Sequence, residues 1–277
     1  MKTKKNVFTQ ILLYAVEAFV IILSVFPILW VIMSSFKTNG EILTAPLALP
    51  QHISFDTYIE LFQKYSFPTY FFNSILAAGL SSIVSLLFYA MGAYVIAKFR
   101  FPGRKLLFAL FTITLLVPSH SKTQPIFSLI MNLNLYDSIW GVTLVYLSAG
   151  MALSIFILKA GFMAVPKGLD EAATLDGAGF FRVFWNINLP LAKGALATAG
   201  ILMFLSNWNE YYFASLLTVS DSQRTLPIAL AFFTSEFSYN YTQLFAALAI
   251  VILPGIILYA IAQDQVQASV AASGIKG

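Results

Sequence analysis

Residues 165–190 read VPKGLDEAATLDGAGFFRVFWNINLP, a charged stretch set between two long apolar segments. Lys167, Asp170, Glu171, Asp176 and Arg182 keep it out of a bilayer core, where each charge is costly. Pro166 fits the first turn of a helix, because its missing N–H would be unpaired there anyway, and Lys167–Leu175 then reads as one short helix. Gly177 and Gly179 interrupt it and permit a sharp turn. A second short helix is expected over Ala178–Ile187, with Phe180, Val183, Phe184 and Ile187 at helical spacing on one apolar stripe. Pro190 should end that helix and start the next element. Taken alone, the stretch reads as an amphipathic helical turn lying on a lipid surface.

The rest of the chain supplies the membrane. Of 277 residues, 59% are hydrophobic and 10% charged, and the mean hydropathy is +0.80. A soluble chain of this length could not hide that much apolar surface, and soluble domains carry about 25% charged residues. The expected fold class is therefore an all-α membrane protein with six transmembrane helices. Cysteine is absent, and His52 and His120 lie far apart in sequence, so neither thiol chemistry nor a metal-ligand cluster is written in the chain.

The first span covers Ile11–Phe36, longer than a signal-peptide core and without a small-residue cleavage site. Pro27 should distort it, and Glu17 near its end should snorkel toward water. Residues 37–70 form a loop with Pro46, Pro50 and Pro68. Phe71–Ala97 is the second span, with Ala77, Ser81 and Ser85 recurring every four residues as a face for close helix packing. The third starts at Leu106, and Pro118, Ser119, His120, Lys122 and Pro125 break its outer half. Either it runs on to roughly Ile130 as an irregular re-entrant portion or, as expected here, it ends near Val117 with a short external helix following up to Leu135. Ser138–Phe162, Gly194–Leu217 and Leu244–Ala262 complete the six, and Pro254-Gly255 should bend the last. Leu226–Glu236 reads as an external amphipathic piece, and Gln263–Gly277 as a small, polar tail.

Charge orients this topology. Lys2, Lys4 and Lys5 give the N-terminus +3, and Lys98, Arg100, Arg104 and Lys105 give the second-to-third loop +4. The three intervening outer loops come to −1, 0 and −1. Positive loops stay cytoplasmic, so both termini, the 98–105 loop and the 165–190 stretch should face the cytoplasm. A basic loop wedged between two spans also argues against a nucleic-acid partner.

With that topology in place, the 165–190 stretch resembles the EAA loop of membrane-spanning subunits of ATP-binding-cassette importers. The pattern is Glu-Ala-Ala, a Gly four residues after the second Ala, then Ile-x-Leu-Pro; here it falls on Glu171, Ala172, Ala173, Gly177, Ile187, Leu189 and Pro190. The longer EAAxxDGA form, through Asp176 and Ala178, resembles the sugar-importer branch. Ser34-Ser35-Phe36-Lys37, Asn73-Ser74, Ala93-Tyr94, Phe101-Pro102-Gly103, Trp208-Asn209 and Thr225-Leu226-Pro227 fit as well. The ending Gly274-Ile275-Lys276-Gly277 looks like the last residues of MalG-like maltose permeases. Lys193 stands where the family often has Pro, and Ser269 and Ser273 where it often has Gly.

The resemblance implies a type I importer permease (MetI-like) fold. Residues 1–70 would hold the tail, first helix and external loop, and residues 71–277 a five-helix core with coupling helices at about 165–190. It implies a multi-pass protein of the prokaryotic inner (cytoplasmic) membrane and a homologous second permease to complete the pore. Two copies of a cytoplasmic ATPase carrying ATP-Mg and an extracytoplasmic solute-binding protein would join them, with a carbohydrate as the solute. ATPase coupling would fall on Glu171, Ala172, Ala173, Asp176, Gly177, Ile187, Leu189 and Pro190. This chain would be no enzyme and hold no cofactor, and it has no GxxxxGK[ST] phosphate loop. Another small solute (a polyol, glycerol phosphate or a polyamine), a stand-alone secondary transporter and a non-transporting scaffold are the competing readings. Only Glu17 and Glu210 are candidate intramembrane carboxylates, which weighs against a polyamine, and no internal repeat favours a secondary transporter.

One more group stands out. Asn207, Trp208, Asn209 and Glu210 are the most polar residues inside an expected span, about 26 Å beyond Pro190 at helical rise. Amides and aromatics suit hydroxyl-rich solutes, so these four are candidates for the solute path. The plainer reading is a polar, aromatic helix end at the membrane interface or a contact with the second permease.

Overall fold

In the computed structural model, which describes residues 7–236 and 240–274, every regular element among the described residues is helical. The lysines of the N-terminal tail and the last three residues lie outside this range. Three helices are each long and apolar enough to cross a membrane: α1 (Val7–Ser34), α4 (Phe67–Lys98) and the final helix Tyr241–Gly274. Three bent helix pairs qualify when each is counted as one span, which brings the number to six. The chain divides into two compact units, residues 1–66 with 230–253 and residues 67–229 with 254–277.

In the first unit, α1 runs unbroken through Pro27. Most of its apolar side chains stay exposed, as a lipid-facing helix requires. The loop after it is more ordered than its prolines suggest, with α2 (Asn39–Thr44) and α3 (Asp56–Lys64) inside it. Thr38 and Glu41 form a capping box at the start of α2. Lys37 is buried, and its ammonium donates to the carbonyls of Ala45 and Pro46.

The second unit is built around α4, which starts at Phe67, four residues earlier than expected, and passes through a wider π-helical segment over Ile75–Leu80. Its small-residue face is buried as the spacing predicted: Ala77, Ser81 and Ser85 are inaccessible, and so are Ala90 and Ala93 further along. α5 (Arg104–Leu116) ends where the sequence predicts. Val117 is extended before Pro118, whose ring excludes a helical residue there, and α6 (Ser119–Asn132) leaves at 102°.

The fourth span is not the single helix expected over Ser138–Phe162. It breaks into α7 (Ile139–Leu147) and α8 (Met151–Ala164) at 46°, with Gly150 in the left-handed region at φ +68°. The Leu147 carbonyl freed by the break accepts hydrogen bonds from Ser85 and Tyr89 on α4, both at 2.6 Å. A broken helix is tolerated at membrane depth when neighbouring side chains re-satisfy the backbone in this way. Lys159 on α8 is handled differently: its ammonium lies 3.4 Å from the centre of the Phe108 ring on α5.

After the stretch described below comes α11 (Lys193–Trp208), which packs on α8 at Gly161; a Cβ there would come within 2.3 Å of the Ala195 Cβ. The expected fifth span to Leu217 is interrupted. α11 stops at Trp208, and α12 (Tyr212–Leu217) begins after an irregular turn. α13 (Leu226–Glu236) forms over the expected residues and buries Leu226, Ile228 and Ala229, but its sequence LPIALAFFTSE is apolar through Phe233 rather than amphipathic. α14 (Tyr241–Gly274) runs well past the expected end at Ala262. Nothing in AQDQVQASVAAS breaks a helix before Gly274, and its alanines and glutamines favour one.

Candidate functional site

The 165–190 stretch forms two helices joined by a tight turn. α9 (Lys167–Leu175) starts directly after Pro166, which caps it rather than entering its first turn. It ends in a Schellman motif: Gly177 N–H donates to Thr174 O at 3.0 Å and Ala178 N–H to Ala173 O at 2.9 Å, with Gly177 at φ +81°. α10 (Phe180–Leu191) starts two residues later than expected and is π-helical over Phe184–Asn188. It does not stop at Pro190. That residue occupies the first turn of the segment Leu189–Leu191, where a missing N–H costs least, and the chain turns by 79° only at Ala192.

The two faces of this hairpin differ. Val183 and Phe184 are buried, and Phe180 and Phe184 pack around Tyr94 of α4 with ring centroids 5.5 and 5.1 Å away. The apolar stripe thus faces protein, not lipid, at its centre, with Ile187 and Leu189 half-buried beside it. On the other face Glu171, Ala172, Asp176, Gly177 and Pro190 are exposed and Ala173 is half-buried. Leu175 is 89% exposed and Phe181 62%. Small residues, a glycine turn and two protruding apolar side chains together make a knob that another protein's groove can take.

Beneath the knob lies a polar cluster that sequence reasoning missed. Lys98, at the last turn of α4, pairs with Asp170 of α9 at 2.8 Å. Its ammonium also donates to Val165 O at 2.8 Å, and Asn188 Nδ2 donates to the other Asp170 oxygen at 2.6 Å. In the sequence Lys98 registers only as one of four loop charges. The one local signal is Asn188 itself, an amide set between Ile187 and Leu189, two residues after Asn186.

The Asn207–Glu210 group is brought together in space less than in sequence. Asn207 is buried and its Nδ2 donates to Ser81 Oγ and Ser82 Oγ of α4 at 3.0 and 3.2 Å. Trp208 is buried and stacks on Phe204. Glu210 caps α12: its carboxylate accepts from Phe213 N–H at 2.8 Å and Ala214 N–H at 3.1 Å, and Tyr146 OH donates to it at 3.0 Å. Asn209 alone is exposed, with its Nδ2 turned back to Leu205 O. Among the described residues no three His, Cys, Asp or Glu side chains gather as a metal site.

The hairpin thus exposes Glu171, Ala172 and Gly177 and is braced on α4 through Tyr94 and Lys98. The family profile of binding-protein-dependent transport system inner membrane components matches residues 91–272, and the chain belongs to that family. It is 33% identical over 251 residues to the diacetylchitobiose uptake system permease protein NgcG of Streptomyces coelicolor, spanning 90% of this chain and 83% of that one. It is 30% identical over 280 residues, the whole of both chains, to the inner membrane ABC transporter permease protein YcjP of Escherichia coli. The fold is also that of a chain in the crystal structure of a bacterial ABC transporter involved in the import of the acidic polysaccharide alginate, with a TM-score of 0.79 at 24% identity, covering 95% of this chain and 98% of that one.

Proposed function

We propose that this chain is half of the translocation pore of an ATP-driven carbohydrate importer, and that the 165–190 hairpin receives the push of a cytoplasmic ATPase. The exposed knob of Glu171, Ala172, Leu175, Asp176 and Gly177 carries the coupling reading: its small residues allow close approach, and Leu175 has no core of its own to fill. A diacetylchitobiose permease among the relatives supports a carbohydrate as the solute. A homologous second permease, two ATPase copies holding ATP-Mg and an extracytoplasmic binding protein complete the assembly in a prokaryotic inner membrane, with both termini of this chain cytoplasmic. Residues 71–277 act as the permease core. The Asn207–Glu210 turn lies on the solute path, where Asn209 offers its amide while Asn207 and Glu210 hold the break open.

The test is reconstitution with the second permease, ATPase and binding protein proposed above, followed by uptake of labelled oligosaccharides. Gly177→Leu should leave the spans inserted and abolish co-purification of the ATPase. Full assembly, stimulation and transport by that variant would make the hairpin a passive surface feature.

A further inference from the structure

We propose that Lys98 and Asp170 form a latch that carries the displacement of the coupling hairpin into the second-span helix; this rests on the coupling reading above. Three chain segments meet at the latch. Lys98 ends α4, Val165 precedes α9, and Asn188 lies near the end of α10. The ammonium therefore holds the entry of the hairpin through Val165 O and its first helix through Asp170. Asp170 in turn holds the second helix through Asn188. The hairpin is tied to one residue of α4 from both of its ends.

Burial makes this tie stiff. The Lys98 side chain is 4% exposed and that of Asp170 19%. An exposed ion pair is screened by water and yields freely. A pair this enclosed keeps its partners, because separation would strand a charge. Asn188 is fully buried and its Oδ1 has no partner among the described residues. Its amide orientation is dictated by its surroundings, since the Asp170 carboxylate and Val183 O are both acceptors and require the NH2. A buried amide with its oxygen unused is costly, so the contact with Asp170 is what this side chain serves.

From Lys98 the path continues along a single helix. α4 carries Ser81 and Ser82, which accept from Asn207 at the end of α11, and Ser85 and Tyr89, which hold the broken end of α7. A shift of the hairpin passed to Lys98 thus reaches both helix breaks through one rigid element.

Lys98→Met and Asp170→Asn test this, with Lys98→Glu/Asp170→Lys as the charge exchange. The docking knob is untouched in all three, so the ATPase should co-purify. The ratio of binding-protein-stimulated to basal ATP hydrolysis, and uptake per assembled complex, should fall about tenfold, within the usual range for coupling between distant sites. The exchange should restore at least part of both. Asn188→Ala removes the hydrogen bond to Asp170 together with the one to Val183 O, keeps the ion pair and should fall between. Should the single variants assemble poorly, recovery of assembly and stimulation together in the exchange variant supports the latch, and no recovery overturns it. Wild-type stimulation in both single variants also overturns it. If Gly177→Leu meanwhile detaches the ATPase, the latch alone has failed; if Gly177→Leu docks normally, the coupling reading beneath it has failed.

Discussion

Gly177 sits at φ +81° with nothing within 4 Å of where a Cβ would stand. Replacing it therefore costs backbone strain and nothing else inside this chain, about 1–2 kcal/mol for a left-handed L-residue. Gly177→Ala and Gly177→Leu should lower the melting temperature of the isolated protein equally. Only in the complex should leucine be worse, and comparing melts with ATPase co-purification separates the two effects. Glu210 makes the opposite case, since every contact it has is internal. Glu210→Gln replaces one carboxylate oxygen by an NH2, which then faces either the Phe213 N–H or the Ala214 N–H and Tyr146 OH, all of them donors. It should destabilise by about 1–3 kcal/mol, the cost of an unsatisfied buried group, and Tyr146→Phe by less. Thermal unfolding in detergent measures both.

At the scale of elements, the breaks between helices are where the sequence was hardest to read. Pro118 announced its break because proline constrains the residue before it. The break at Gly150 was hidden, because glycine is common inside membrane helices and the flanking residues carry no proline or charge. The end of α11 was hidden too, since Glu210 caps a helix through backbone groups that no sequence pattern displays. The junction after α12 depends on Asp137, whose carboxylate accepts from Ser220 OH and from the Val219 and Ser220 N–H groups. These bonds, that of the Ser220 side chain foremost, hold its pKa below the ordinary carboxylate value, with a further contribution from Arg224. The folded value lies below the unfolded one, so this stabilisation is complete above the unfolded value and is lost as pH falls through the folded one. Asp137→Asn should lower the melting temperature near neutrality and leave a shallower loss toward acid, which a melting series across pH reads directly.

For the molecule as a whole, the proposed orientation has a direct test in a chain without cysteine. Single cysteines at positions 56 and 102 should behave oppositely in intact cells, with labelling by an impermeant maleimide at 56 and none at 102. The reverse pattern would invert the topology and put the hairpin on the wrong side for a cytoplasmic ATPase. The positive charges on Arg100, Arg104 and Lys105 motivate the expected outcome, since they stay on the side where the chain is inserted.

Composition and hydrophobic runs alone determined that this is a helical membrane protein with up to six spans, because burying backbone in lipid leaves helices as the solution for such runs. Pro166, the interruption at Gly177 and Gly179 and the helical spacing of Phe180, Val183, Phe184 and Ile187 located the hairpin, since helix starts and glycine turns are local requirements written locally. Tertiary structure decided what holds that hairpin in place. Lys98 and Asp170 are 72 positions apart, and Asn207 lies more than a hundred from Ser81, so no periodicity links them. Their pairing follows from which helix ends meet once the small-residue faces of α4, α8 and α11 have packed, and that meeting exists only in the folded chain.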